Sequence, residues 1–100
     1  MIAQAKIDAV REYLKSEFNG FEVSDVYYEA GEADKVVLER NFRKFQIMSR
    51  PGHYVVKLER LFLDDTQDVR KALADIELGK VMRVNEGRQV LVTIKGLVVL

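Results

Sequence analysis

Residues Lys35 to Asp65 read KVVLERNFRKFQIMSRPGHYVVKLERLFLDD, and the fold turns on this stretch. It predicts two long β-strands folded back at Arg50-Pro51-Gly52-His53. With Arg50 opposite His53, Phe45 falls opposite Leu58 and Ile47 opposite Val56. On the other face Lys44 meets Glu59 and Phe42 meets Leu61. Apolar side chains then face apolar ones and one ion pair forms, which is how cross-strand pairs stabilise a sheet. A slip of one residue would move Phe45 and Ile47 onto the face of Lys57 and Glu59, so the even register is preferred. Pro before Gly suits a type II turn, whereas tight hairpins favour the mirror-image turns. A slightly longer loop of the same parity is therefore expected.

The apolar pairs lie on one face near the tip of this hairpin and on the opposite face near its base. Its first arm, Lys35 to Ser49, would span about 50 Å at roughly 3.3 Å per residue. A domain of this length has a radius of gyration of about 13 Å. The arm is expected to break at a bulge around Asn41 to Lys44 or to project from the body. In either case both faces need cover.

Working outward, Ala3 to Phe18 predicts a helix. Ala3, Ile7, Val10, Leu14 and Phe18 form one stripe, with charged residues on the remaining surface, and Asn19-Gly20 supplies a left-handed stop. Phe21 to Glu29 predicts a strand, and its change of apolar phase near Ser24-Asp25 suggests a bulge. Gly31 to Asp34 turns the chain into the hairpin. Beyond the hairpin, Asp64-Asp65-Thr66 marks a helix start, with Asp68 in the first turn where acids suit the helix dipole. Val69, Ala72, Leu73 and Ile76 form its buried face, and Gly79 its end. Lys80 to Val84 reads as a short strand and Asn85 to Arg88 as a turn. Gln89 to Lys95 is a strand with Val90, Val92 and Ile94 on one face. Gly96 interrupts, and Leu97-Val98-Val99-Leu100 closes the chain.

The fold class predicted is α+β, in the order α-β-β-β-α-β-β. Residues 1–100 make a single domain, an antiparallel sheet of about five strands with two helices on one face. One hundred residues with 48% apolar and 32% charged composition support one modest core. Sixteen basic and sixteen acidic residues cancel, so no global charge points to nucleic acid or to an anionic membrane. Cysteine is absent, which excludes disulfides, thiolate nucleophiles and Cys-ligated metal and suits a cytoplasmic location. No signal peptide and no membrane span is expected.

Chemistry-bearing groups are few. His53 is the single histidine, so a His-based metal site would need carboxylates for its other ligands. On the hairpin turn it reads as a solvated loop residue. Asp64, Asp65 and Asp68 are the densest carboxylate group and suit a hard divalent cation, although capping accounts for the same residues. Charge also segregates along the chain. Residues 21–34 carry five acids and no base, whereas residues 35–60 carry seven bases and two acids. Neighbouring strands of opposite sign can neutralise each other. The alternative is a basic, aromatic hairpin offering Arg40, Arg43, Lys44, Arg50, His53, Tyr54, Lys57 and Arg60 to a nucleic acid. In the expected register Arg43 would face Arg60, which favours an anionic partner.

Helix, three strands, helix is also the order of double-stranded-RNA-binding domains. Here, however, Asp64, Asp65 and Asp68 open the second helix where that family carries lysines. Restriction-type nucleases need an acid two residues before the lysine, and Val55-Val56-Lys57 lacks it. Type III secretion chaperones share the order and are dimeric, but they are longer and acidic. No family is assigned, since element order alone does not license function.

The expected function is that of a small non-catalytic binding or adaptor protein, without a cofactor. It would act as a homodimer through the long hairpin or the wholly apolar C-terminal strand, with room for a protein partner. A nucleic-acid-binding module built on the hairpin is the alternative, and a metal-dependent enzyme using Asp64, Asp65 and Asp68 the third.

Overall fold

The computed structural model describes residues 3–26, 42–48 and 53–100. Its elements are α1 (Gln4–Glu17), β1 (Glu22–Val26), β2 (Phe42–Met48), β3 (His53–Glu59), α2 (Arg60–Asp65), α3 (Val69–Asp75), α4 (Leu78–Val84), β4 (Gln89–Thr93) and β5 (Gly96–Val99). The strands form one sheet in the order β1-β2-β3-β4-β5. The fold is α+β and the sheet is mixed. β3 and β4 run parallel, and the other neighbours are antiparallel. The antiparallel sheet predicted from sequence is thus corrected at one seam. Three helices, not one, carry the chain across a face after β3, and such a crossover returns it in the same direction.

The first helix forms as its pattern requires. Ile7, Val10, Leu14 and Phe18 are buried, joined by Tyr13. Gly20, at φ +91°, takes the left-handed conformation that lets the chain leave. β1 then pairs with β2 without a bulge, from Glu22↔Met48 to Val26↔Lys44. Asp25 follows Val23 onto the helix-covered face, and an ion pair stabilises it there, so no break in pairing is needed.

In the central hairpin the faces are as expected, but the register is shifted by two residues. Phe45 lies opposite Val56, Ile47 opposite Tyr54, and the described pairing runs to Met48↔His53. Lys44 therefore meets Lys57, Phe42 meets Glu59, and Arg43 meets Leu58 instead of Arg60. Either register places the same four apolar side chains on the helix-covered face. Phe45, Ile47, Val56 and Leu58 are all 0% exposed, and each fully buried side chain contributes about 1.5–3 kcal/mol. The forfeited Lys44–Glu59 pair is worth about 1 kcal/mol at most. Residues 42–48 pair continuously. The turn at Gly31 to Asp34, the outer part of the first arm and the hairpin loop lie outside the described residues.

The second arm does not run as a strand to Asp65. It ends at Glu59 and coils into α2, which swings Leu63 fully into the core and leaves Leu61 56% exposed. The helix expected from Asp64 accordingly starts later. Asp64 and Asp65 end α2, and Asp68 caps α3, its Oδ1 accepting the Lys71 backbone N–H at 3.1 Å.

The span Lys80 to Val84 is helical, not a strand. Leu78 and Met82, four residues apart, are both buried while Val84 is 73% exposed, the signature of a helix face. Gly79 does not stop the preceding helix. Glu77, at φ 53°, makes the turn instead, and Gly79 lies buried inside α4. A Cβ there would meet the end of the Glu17 side chain, which would have to shift.

The last strands complete the sheet. Val90 and Val92 are each 1% exposed, whereas Ile94 leaves the inward phase and is 53% exposed in the turn to β5. The buried side chains of all four described helices join Val23, Phe45, Ile47, Val56, Leu58, Val90 and Val92 in a single cluster. These helices therefore cover one face of the sheet. The opposite face carries Lys44, Gln46, Val55, Lys57 and Leu91 by strand alternation.

Candidate functional site

Among the described residues, the bases proposed from sequence do not gather into one patch. Arg40 and Arg50 lie outside the described residues, and His53 opens β3 opposite Met48. Arg43 sits on the helix side and grips Asp25 with two bonds, Nε to Oδ1 at 2.9 Å and Nη2 to Oδ2 at 2.6 Å. Arg11 of α1 reaches the same carboxylate at 3.7 Å. Tyr54 is also on the helix side, its ring 4.8 Å from that of Phe18. Lys44 and Lys57 face each other on the opposite side of the sheet, and Arg60 is an exposed residue at the start of α2. The described cations of the hairpin are thus divided between two faces. Arg43 is matched to an acid of the adjacent strand, as the alternating charge blocks suggest.

Of the three aspartates, Asp68 caps a helix with its carboxylate. Asp64 and Asp65 are exposed at the end of α2. Lys6 of α1 donates to the backbone carbonyls of Leu63 at 2.6 Å and Asp64 at 2.9 Å. A cation there satisfies carbonyls that a helix C-terminus leaves without partners. Among the described residues, no three His, Cys, Asp or Glu side chains come together as metal ligands.

Three groups that the sequence reading left unassigned prove to be structural ties: Lys6, Asp25 and Tyr13. The Tyr13 hydroxyl accepts the Gly79 backbone N–H at 3.0 Å and donates to Glu17 Oε1 at 3.4 Å. Arg83 lies 3.8 Å from the same Glu17 oxygen and 5.7 Å from the centre of the Phe18 ring. Lys80 and Glu77 extend this cluster around an open cleft of about 300 Å³. Its acids and bases are matched in number, and Glu17 is already engaged. The arrangement joins α1 to α4.

Tyr13→Phe should leave the buried Gly79 N–H without an acceptor, at a cost of about 1–2 kcal/mol in urea denaturation at neutral pH. The hydroxyl also titrates. Burial pushes the phenol above its ordinary value near 10, and the Glu17 charge adds to this, while the Gly79 N–H and Arg83 oppose it. A raised folded value means that the folded state holds this proton more tightly than the unfolded one. The contribution is full below about pH 10 and is lost as pH rises through the folded value. This alkaline loss should be absent in Tyr13→Phe. An identical alkaline profile in both proteins would show that Tyr13 is not the group responsible.

The remaining surface feature is the edge formed by β5. Among the described residues this strand has a neighbour on one side only, β4. Val98, Val99 and Leu100 are 44%, 37% and 62% exposed, and Leu97 is half-buried against the core. The central hairpin differs, because β2 lies between β1 and β3, and β3 between β2 and β4. Neither of its strands has a free edge. An edge that is apolar and uncharged is a template for pairing with another chain.

No family model, curated protein or solved structure is similar to this chain. No helix among the described residues is long and apolar enough to cross a membrane.

Proposed function

We propose that this protein is a small non-catalytic binding or adaptor protein that acts as a homodimer through its C-terminal strand. One observation carries the reading: β5 occupies an edge of the sheet and presents Val98, Val99 and Leu100 to solvent. Soluble proteins ordinarily blunt such an edge with lysine, proline or a bulge, and Leu97 to Leu100 contains neither lysine nor proline. The interior position of the hairpin strands supports the C-terminal strand over the hairpin as the contact. The non-catalytic half of the reading is supported by Tyr13, Glu17, Arg83 and Asp68, whose polar groups are engaged in holding helices. A chain without cysteine suits a reducing compartment such as the cytoplasm.

Pairing through one short strand is at the small end of protein interfaces, so association is expected in the micromolar range. Sedimentation velocity across that range should show a species of twice the 11.5 kDa chain mass, growing with concentration. A single 11.5 kDa species throughout would remove the homodimer from the proposal.

A further inference from the structure

Resting on the homodimer reading above, we infer that two copies join β5 to β5 antiparallel about a two-fold axis at Val98, making one continuous ten-stranded sheet. The hydrogen-bond phase of the strand leads there. Leu100 N–H donates to the Gln89 carbonyl at 2.9 Å, and β4 and β5 pair as Leu91↔Val98 and Thr93↔Gly96. In an antiparallel ladder hydrogen-bonded pairs alternate with non-hydrogen-bonded ones. The groups of Leu100, Val98 and Gly96 are therefore those directed at β4. The N–H and C=O of Leu97 and Val99 point the other way, off the edge of the sheet.

These outward groups are complementary to their own two-fold image. An axis through Val98, perpendicular to the sheet, sets Leu97 opposite Val99 of the partner subunit and Val99 opposite Leu97 of the partner subunit. Both are hydrogen-bonding pairs, so all four outward N–H groups of the dimer find a carbonyl. Such an axis also keeps like faces together. Leu97 and Val99 meet on the helix-covered side, where Leu97 already packs against the core, and Val98 meets its own image on the other side. No charged residue lies between Leu97 and Leu100, so no like charges oppose the pairing. An axis at Leu97 would instead set Val99 opposite Lys95 of the partner subunit, which lies in the turn before β5.

The chain has no cysteine, so a single introduced thiol reports on its own position. Val98 opposite its image is a non-hydrogen-bonded pair, with Cα atoms about 4.5 Å apart, within the range a disulfide spans. Val98→Cys should give a disulfide-linked dimer on mild oxidation at micromolar protein, and Leu61→Cys, exposed on α2, should stay monomeric in a reducing-agent-free gel. Val99→Pro removes an outward N–H and no bond to β4, so the fold is expected to persist. Two hydrogen bonds of the dimer would be lost, weakening association by about thirtyfold. Should Val99→Pro disturb the fold by circular dichroism, the Val98→Cys result still decides. Absence of the Val98→Cys link in a protein that sediments as a dimer overturns this pairing and leaves the homodimer standing. A wild-type chain that sediments as a monomer overturns both, and leaves the edge to an extended segment of a different protein.

Discussion

Replacing Phe45 with alanine should destabilise the fold by about 4 kcal/mol, the largest effect expected of any single change. Phe45 is 0% exposed on β2, opposite Val56 and facing the helices. Truncation removes the transfer free energy of the ring and leaves a cavity that close-packed neighbours only partly fill. Against the roughly 5–15 kcal/mol that a domain commands in total, such a loss reaches a large fraction of the whole. Urea denaturation should show a much lower midpoint with an unchanged slope. Phe45→Leu, which restores most of the volume, should recover the greater part of the loss. A cost below about 1 kcal/mol for Phe45→Ala would contradict a core placed under the helices at this position.

The second large effect is expected at Asp25. Its side chain is 12% exposed and is held by Arg43, itself 22% exposed, with Arg11 beyond. Asp25→Ala takes away the carboxylate and leaves a largely enclosed guanidinium without this acceptor. Hydrogen bonds to charged groups contribute about 1.5–3 kcal/mol, and removing one partner of an enclosed pair is costlier than replacing both. A loss of about 2 kcal/mol is expected, or a fall of about 10 °C in melting temperature for a domain of this size. The pairing has a sharper test. In a double-mutant cycle with Arg43→Ala, the two losses should fall well short of additivity. Strict additivity would mean that the two side chains do not act as a pair.

These two residues also show how differently the sequence speaks about core and surface. Phe45 was readable from alternation, because the side-chain period of a strand is two and only one parity places Phe45 and Ile47 with Val56 and Leu58. A register error of two residues left every face unchanged, which is why the face assignment survived while the partners changed. Asp25 offered no such signal. It looked like a break in the apolar phase of β1, and only the approach of α1 and β2 brings two arginines to it. Lys6 and Tyr13 are similar cases. Their partners are carbonyls or N–H groups some sixty residues away in sequence, and no local pattern encodes them.

Glycine and the short helices mark the other boundary. Gly79 carried a local helix-stop signal, yet it lies buried inside α4, where its N–H donates to the Tyr13 hydroxyl of α1. With that stop removed, Lys80 to Val84 joins a helix and loses its reading as a strand. A strand count of five nevertheless emerged, since Gly96 to Val99 separates as β5. Segments of five to seven residues bury too little by themselves to choose between helix and strand, so their neighbours choose for them.

By itself the sequence determined the α+β class, α1 and its stripe, the central hairpin with its buried face, and an apolar final strand. All four follow from periodicity and turn residues within about twenty positions of one another. Tertiary structure alone decided the parallel seam between β3 and β4, the helical state of Leu78 to Val84, the division of the hairpin's described cations between two faces, and the placement of β5 at an edge. Each of these depends on which distant segment lies alongside, and that is settled by packing the whole core at once.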